Sequence, residues 1–127
     1  MKKSCYIAGP MRGIPEYNYP VFMSATELLR NLDWKVYNPA EMDIKAEPET
    51  DWTALTLEQQ KIHDTVVNIR QFADRDINII LHKLRAENGD AIFTLPGWES
   101  SIGALAEIAV ARWVLLPIIP IDLLVAI

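Results

Sequence analysis

Four short apolar runs, each closed by a glycine, proline or asparagine and separated from the next by residues with helical spacing, constrain the fold of this chain more than any other feature. Ser4 to Ala8 stops at Gly9-Pro10, Trp34 to Tyr37 at Asn38-Pro39, Asp90 to Leu95 at Pro96-Gly97, and Trp113 to Ile119 at Pro120. Runs of this length between turn formers read as buried strands. Val21 to Leu32 places Phe22, Ala25, Leu28, Leu29 and Leu32 on one side of a helix. From about Leu55 to Ala86 the pattern is again helical, long enough for two helices or one kinked helix. Thr56 and Gln59 there have capping-box spacing, and Glu87-Asn88-Gly89 ends the stretch. Ser101 to Ala111 supplies a third helix. Residues 40 to 53, polar and acidic with Pro48, read as an irregular loop or lid.

Strands alternating with helices imply a parallel sheet covered on both faces. The expected fold is therefore α/β, a Rossmann/flavodoxin-like three-layer sandwich with a mostly parallel sheet of four to five strands. At 127 residues the chain has the length of a single domain, 1–127. In such a fold the polar residues of function collect in the loops after the first three strands.

Half of the residues are apolar, 23% are charged, and the net charge is −5 at pH 7. An acidic balance argues against nucleic acid or an anionic membrane as the main partner, since both call for a basic face. A phosphate-bearing small molecule needs only a local basic spot. Cys5 is the single cysteine and lies in the first apolar run, so it has no intramolecular disulfide partner and reads as core. Nothing after Met1-Lys2-Lys3 reads as a signal peptide, and the expected compartment is the cytoplasm. The apolar stretch from Trp113 to Ile127 is too short to span a bilayer and contains Pro117, Pro120 and Asp122. It reads as a strand and a packed tail that a homo-oligomer interface would bury.

The segment Asp90 to Glu107 carries the strongest functional signal: an apolar strand, a Pro-Gly break, Ser100 and Ser101, then a helix with Gly103 and Glu107 four residues apart. With Ser100 as the cap, Gly103 and Glu107 share a face, and helical side chains lean toward the N-terminus. The Glu107 carboxylate then lies over Gly103, where no side chain blocks a ligand. Free N–H groups at that helix start favour an anion. No other charge lies between Glu99 and Arg112, and an acid in so apolar a helix is a site candidate. The loop after the first strand offers Gly9, Met11, Arg12 and Gly13, small residues beside an arginine able to clamp a phosphate with two donors. Trp98 either stacks on a base or closes the core; Asn18 and Asn38 either contact a ligand or fix turns. His63 and His82, nineteen residues apart, lack partners at ligand spacing, so no metal is expected, and no cofactor is called for.

Tyr6-Ile7-Ala8-Gly9-Pro10-Met11-Arg12-Gly13 at the front, with Ser101-Ile102-Gly103-Ala104-Leu105-Ala106-Glu107 and Ala111 at the back, resembles the nucleoside 2-deoxyribosyltransferase superfamily. Tyr17-Asn18, Asn38-Pro39-Ala40-Glu41 and Leu95-Pro96-Gly97-Trp98-Glu99 extend the likeness to a small branch common in bacteriophage and bacterial genomes. The resemblance implies an enzyme like the 2′-deoxynucleoside 5′-monophosphate N-glycosidases, with Tyr6, Gly9, Arg12, Gly13, Ser101 and Glu107 at matching positions. It also implies a second carboxylate on the preceding helix, best matched by Asp76, with Asp74 as competitor; Arg75 reads as a partner of either acid on the helix surface. Glu107 would attack the sugar, Asp76 handle the proton and Tyr6 orient Glu107. Arg12 and Ser101 would hold the 5′-phosphate, and hydrolysis or base transfer would complete the reaction. A homodimer or higher homo-oligomer is implied, and the substrate is a small-molecule nucleotide. Two alternatives stand beside this reading. Leu95 to Glu107 also resembles the lysine-decarboxylase-like phosphoribohydrolases, and a non-catalytic nucleotide-binding module would use Arg12 and Ser101 without Glu107.

Overall fold

The computed structural model describes residues 2–125. The elements run β1 (Ser4–Ala8), α1 (Tyr19–Asn31), β2 (Lys35–Tyr37), α2 (Pro39–Ala46), α3 (Leu57–His63), α4 (Val66–His82), β3 (Ala91–Thr94), α5 (Ile102–Trp113), β4 (Ile118–Pro120) and α6 (Asp122–Val125). The four strands form one parallel sheet in the order β2-β1-β3-β4. This is the Rossmann/flavodoxin-like α/β architecture that the alternation predicts.

Alternation along each strand divides the interior in two. From β1, Cys5 and Ile7 point into a core that includes Phe22, Ala25 and Leu29 of α1, Trp52 and Phe93. Tyr6 and Ala8 point to the opposite face, with Ile79 and Ile80 of α4, Ile92 of β3, and Ala104, Ile108 and Ala111 of α5. The chain runs outward from β1 to β2 and then crosses back to β3, so the switch point lies between β1 and β3. In open α/β sheets the carboxyl ends at such a point open into a ligand crevice.

Three elements differ from the sequence expectation. The segment after Asn38 opens as α2 and is not an irregular loop from residue 40. Asn38 Oδ1 accepts from Ala40 N at 2.8 Å, and Pro39 stands in the first turn. A side-chain cap and an N-terminal proline are a helix start, worth about 1 kcal/mol for the cap. Asn-Pro as a strand terminator hid that signal. The last strand begins at Ile118, not Trp113: α5 continues to Trp113, and a turn with Leu115 at φ 64° redirects the chain. Apolar content there reports burial and not strand period. The cap of α5 is Ser101, whose Oγ accepts from Ala104 N, while Ser100 Oγ donates to Gly97 O.

The long helical stretch divides into α3 and α4. The Thr56/Gln59 capping box forms at the start of α3, and Thr65 caps α4. Ala126 and Ile127, at the end of the apolar tail, lie outside the described residues. Among the described residues no helix is long and apolar enough to cross a membrane.

Candidate active site

A cavity of about 630 Å³ opens at the carboxyl ends of β1 and β3, where the first loop, α2, α4 and the start of α5 converge. Its size falls within the range of small-molecule sites. Tyr6, Gly9, Met11, Arg12, Asp76, Ser100, Ser101, Gly103 and Glu107 all line it.

The floor is made by β1, α4 and α5. Tyr6 is fully buried and its Oη donates to Glu107 Oε2 at 2.6 Å. Asp76 of α4 lines the same floor, near enough for its charge to act on the Glu107 carboxyl. Glu107 holds its proton above the usual carboxylate range, first because burial strips its solvation and second because the Asp76 charge opposes a second anion. Burial raises Asp76 as well, with the neighbouring Arg75 guanidinium pulling the other way. Tyr6 is pushed up by burial and by Glu107, so it remains a donor at physiological pH. The two carboxyls are therefore coupled, the charge of Asp76 opposing ionisation of Glu107.

Of the two candidate acids on α4, Asp76 is the one in the cavity. Asp74 is exposed and accepts from Asn78 Nδ2 at 3.0 Å. Gly103 behaves as its spacing predicts: a Cβ added there meets nothing within 4 Å, and Glu107 stands one turn further along the same face. Gly9 has a different reason to be glycine. A Cβ there would come within 2.8 Å of Leu95 Cβ, so the residue is required for close packing against the segment after β3.

The mouth is formed by the first loop. Asn18, in a left-handed conformation, donates from Nδ2 to Pro10 O at 2.9 Å and ties the loop shut. Gln60 of α3, fully buried, accepts from Gly13 N and donates to Ile14 O. These bonds fix the backbone around Arg12, whose side chain is exposed at the cavity edge and makes no ion pair among the described residues. A guanidinium free at the mouth of a cavity that the Ser101-capped start of α5 also lines suits an anionic group. Gly13, at φ 81°, sits beside Arg12 in a neighbouring groove and not in the main cavity.

Three further candidate residues also stand outside the cavity. Asn38 is buried, caps α2 and donates from Nδ2 to Thr26 Oγ1 at 2.8 Å, so its hydrogen-bonding groups are committed to the fold. Asn18 is committed to the loop. Trp98 packs against the β3–α5 core in the turn before α5 and is not a stacking wall.

Sequence reasoning missed the opposite wall. Trp52 forms an aromatic cluster with Tyr17, Tyr19, His63 and Phe72. Beneath it, Asp43 of α2 accepts from Tyr19 Oη at 2.8 Å and approaches Arg75 Nη1 at 2.9 Å. Arg75 Nε in turn donates to Asp76 Oδ1 at 2.8 Å. Arg75 is thus an interior bridge between two acids, not a surface partner. The available signal was the Asn38-Pro39 helix start, which puts Asp43 on a turn facing α1 and α4.

Among the described residues no group of three or more His, Cys, Asp or Glu side chains is placed to hold a metal ion. His63 pairs with Glu47 at 3.0 Å. A family model described as a domain of unknown function (DUF4406) matches residues 3–76. That span includes the first loop, Asp43, Arg75 and Asp76 and stops short of Glu107. No curated protein and no solved structure matches the chain.

Proposed function

Taking as premise that the chain belongs to the DUF4406 family, which its model covers over more than half the length, we propose that it cleaves the N-glycosidic bond of a nucleoside 5′-monophosphate. The observation that carries this reading is the Tyr6–Glu107–Asp76 cluster on the floor of a cavity with a free arginine at its mouth. The resemblance of the Tyr6 to Gly13 and Ser101 to Glu107 segments to the nucleoside 2-deoxyribosyltransferase superfamily supports the same chemistry.

N-glycosidic cleavage needs a nucleophile or anion at the anomeric carbon and a proton for the departing base. The single proton of the carboxyl pair supplies both when it resides on Asp76 and leaves Glu107 as the anion. Glu107 then forms an ester bond to C1′ as the C1′–N bond breaks, and the leaving electron pair on the base takes the proton from Asp76. In the second half, Asp76 accepts a proton from water as the water oxygen attacks C1′ and frees Glu107. A free base attacking in place of water gives transfer. Tyr6 holds Glu107 in line. The 5′-phosphate occupies the mouth, between Arg12 and the capped start of α5, and its binding positions the sugar.

Arg12→Ala is expected to raise KM for a monophosphate by about 10- to 100-fold, the loss of one charge-assisted contact. Activity on the matching nucleoside should not change. Steady-state kinetics on the two substrates check this; an equal loss on both would place the phosphate elsewhere.

The same reading includes a cytoplasmic enzyme that self-associates. Ile102, Leu105 and Trp113 lie along one outer face of α5, with Ile102 and Trp113 more than four-fifths exposed. That face runs to the cavity mouth through Ile102 and Ala106. A contiguous apolar stripe of this kind suits a second copy of the chain. Sedimentation velocity at micromolar concentration should give a dimer mass or larger, and a monomer would remove this part of the account.

A further inference from the structure

Arg75 is the only cation in contact with the buried acids of the cavity among the described residues, and it touches two of them. Its guanidinium lies 5.3 Å from the Phe72 ring centroid, with Asp43 on one side and Asp76 on the other. Asp43 is held from α2 and by the Tyr19 hydroxyl, both independent of the reacting pair. Three carboxyls, Asp43, Asp76 and Glu107, therefore share the neutralising charge of one guanidinium in a region of low solvent access. One cation fully balances one anion there, so the protons are divided by position.

We propose that Asp43 is a positioning residue of the site: by drawing on Arg75 it leaves Asp76 only partly neutralised, so that the Asp76–Glu107 pair keeps its last proton to higher pH than it would with Arg75 given to Asp76 alone. The inference rests on the glycosidic reading for its catalytic consequence and on the ion-pair geometry alone for its physical content. The groups facing Asp76 are Arg75 on its own helix, Tyr6 from β1 and Glu107 from α5. Those facing Asp43 are Tyr19 from α1 and Arg75, with Asp76 beyond. Tyr17, Asp64 and Arg12 lie further toward the mouth. Removing the Asp43 charge releases Arg75 to Asp76 and takes away a like charge, and both changes favour the ionised form of Asp76.

The test is a titration of the chain labelled with ¹³C at the aspartate carboxyls, which requires no substrate. In the wild-type protein Asp43 should lose its proton at lower pH than the Asp76–Glu107 pair loses its last one. In Asp43→Asn the Asp76 midpoint should move down by about one pH unit, and Asp43→Glu should restore it. The alkaline limb of kcat/KM should move down with it, a change that a merely structural role for Asp43 would not produce. Asp43 still protonated when the Asp76–Glu107 pair loses its last proton in the wild type, or an Asp76 midpoint unmoved in a folded Asp43→Asn protein, overturns the proposal. Absence of base release from every substrate would count against the glycosidic reading and leave the titration result standing on its own.

Discussion

Glu107→Gln is expected to abolish base release, with a loss of kcat of at least about 10³-fold, while nucleotide binding stays within a few-fold of wild type. The amide keeps the size of the side chain and a hydrogen-bonding oxygen for Tyr6 Oη, so the pocket keeps its shape. What it removes is the atom that bonds C1′, and loss of a covalent nucleophile is among the largest single effects in catalysis. The same variant is expected to be more stable than wild type, in a pH-dependent way. Glu107 in the folded chain ionises above the 4.5 of an unperturbed glutamate. Between 4.5 and the raised value the folded state holds a proton that the unfolded state has lost. Stability therefore falls as pH rises through that window, by at most about 1.4 kcal/mol per unit. Glutamine has no proton to hold, so the gain in melting temperature should be larger near pH 8 than near pH 5. Thermal melts at the two pH values check the sign. A variant less stable than wild type at pH 8 would mean that Glu107 is a favourably paired anion and not a desolvated acid.

Asp76→Asn should cost about 10²- to 10⁴-fold in kcat for ordinary bases, the usual contribution of a positioned general acid. The loss should shrink to within about tenfold for substrates whose leaving base is already acidic, because such a base departs without protonation. The pH profile separates the roles further. Wild-type activity needs one proton on the pair, so kcat/KM should fall toward acid as both carboxyls protonate and toward alkali as both ionise. With asparagine at position 76 no proton donor remains to be lost, and the alkaline limb attributable to it should vanish. An equal loss for good and poor leaving groups would make Asp76 a structural partner of Arg75 and nothing more.

Much of this geometry is legible in the sequence. The strand-and-turn punctuation of Ser4 to Pro10 and Asp90 to Gly97 locates the switch point, because buried parallel strands are short apolar runs that turn formers must end. The four-residue spacing of Gly103 and Glu107 places an acid over open space, since helix geometry is periodic and local. The hydroxyl of Tyr6 is less local: it meets Glu107 across 101 positions, and only the resemblance tied the two together. Asp43 was hidden for a related reason. Its importance depends on α2 packing beside α1 and α4, a tertiary fact, and the polar composition of residues 40–53 masked a helix whose signature is its cap and first-turn proline. The asparagines went the other way. Their polarity in loops suggested ligands, yet Asn38 and Asn18 satisfy backbone groups that the turns themselves leave unpaired. That Trp113 closes α5 is not legible, because nothing in an apolar run of that length distinguishes a helix end from a strand start.

The most direct test of the central claim is a chromatographic assay of purified protein against deoxyribonucleoside and ribonucleoside 5′-monophosphates and the matching nucleosides, with Glu107→Gln alongside. The account predicts free base from at least one monophosphate with the wild-type protein, measurably less from its nucleoside, and none with Glu107→Gln. Absence of base release from every substrate, with or without an added acceptor base, would contradict it and turn the cavity into a binding site without chemistry.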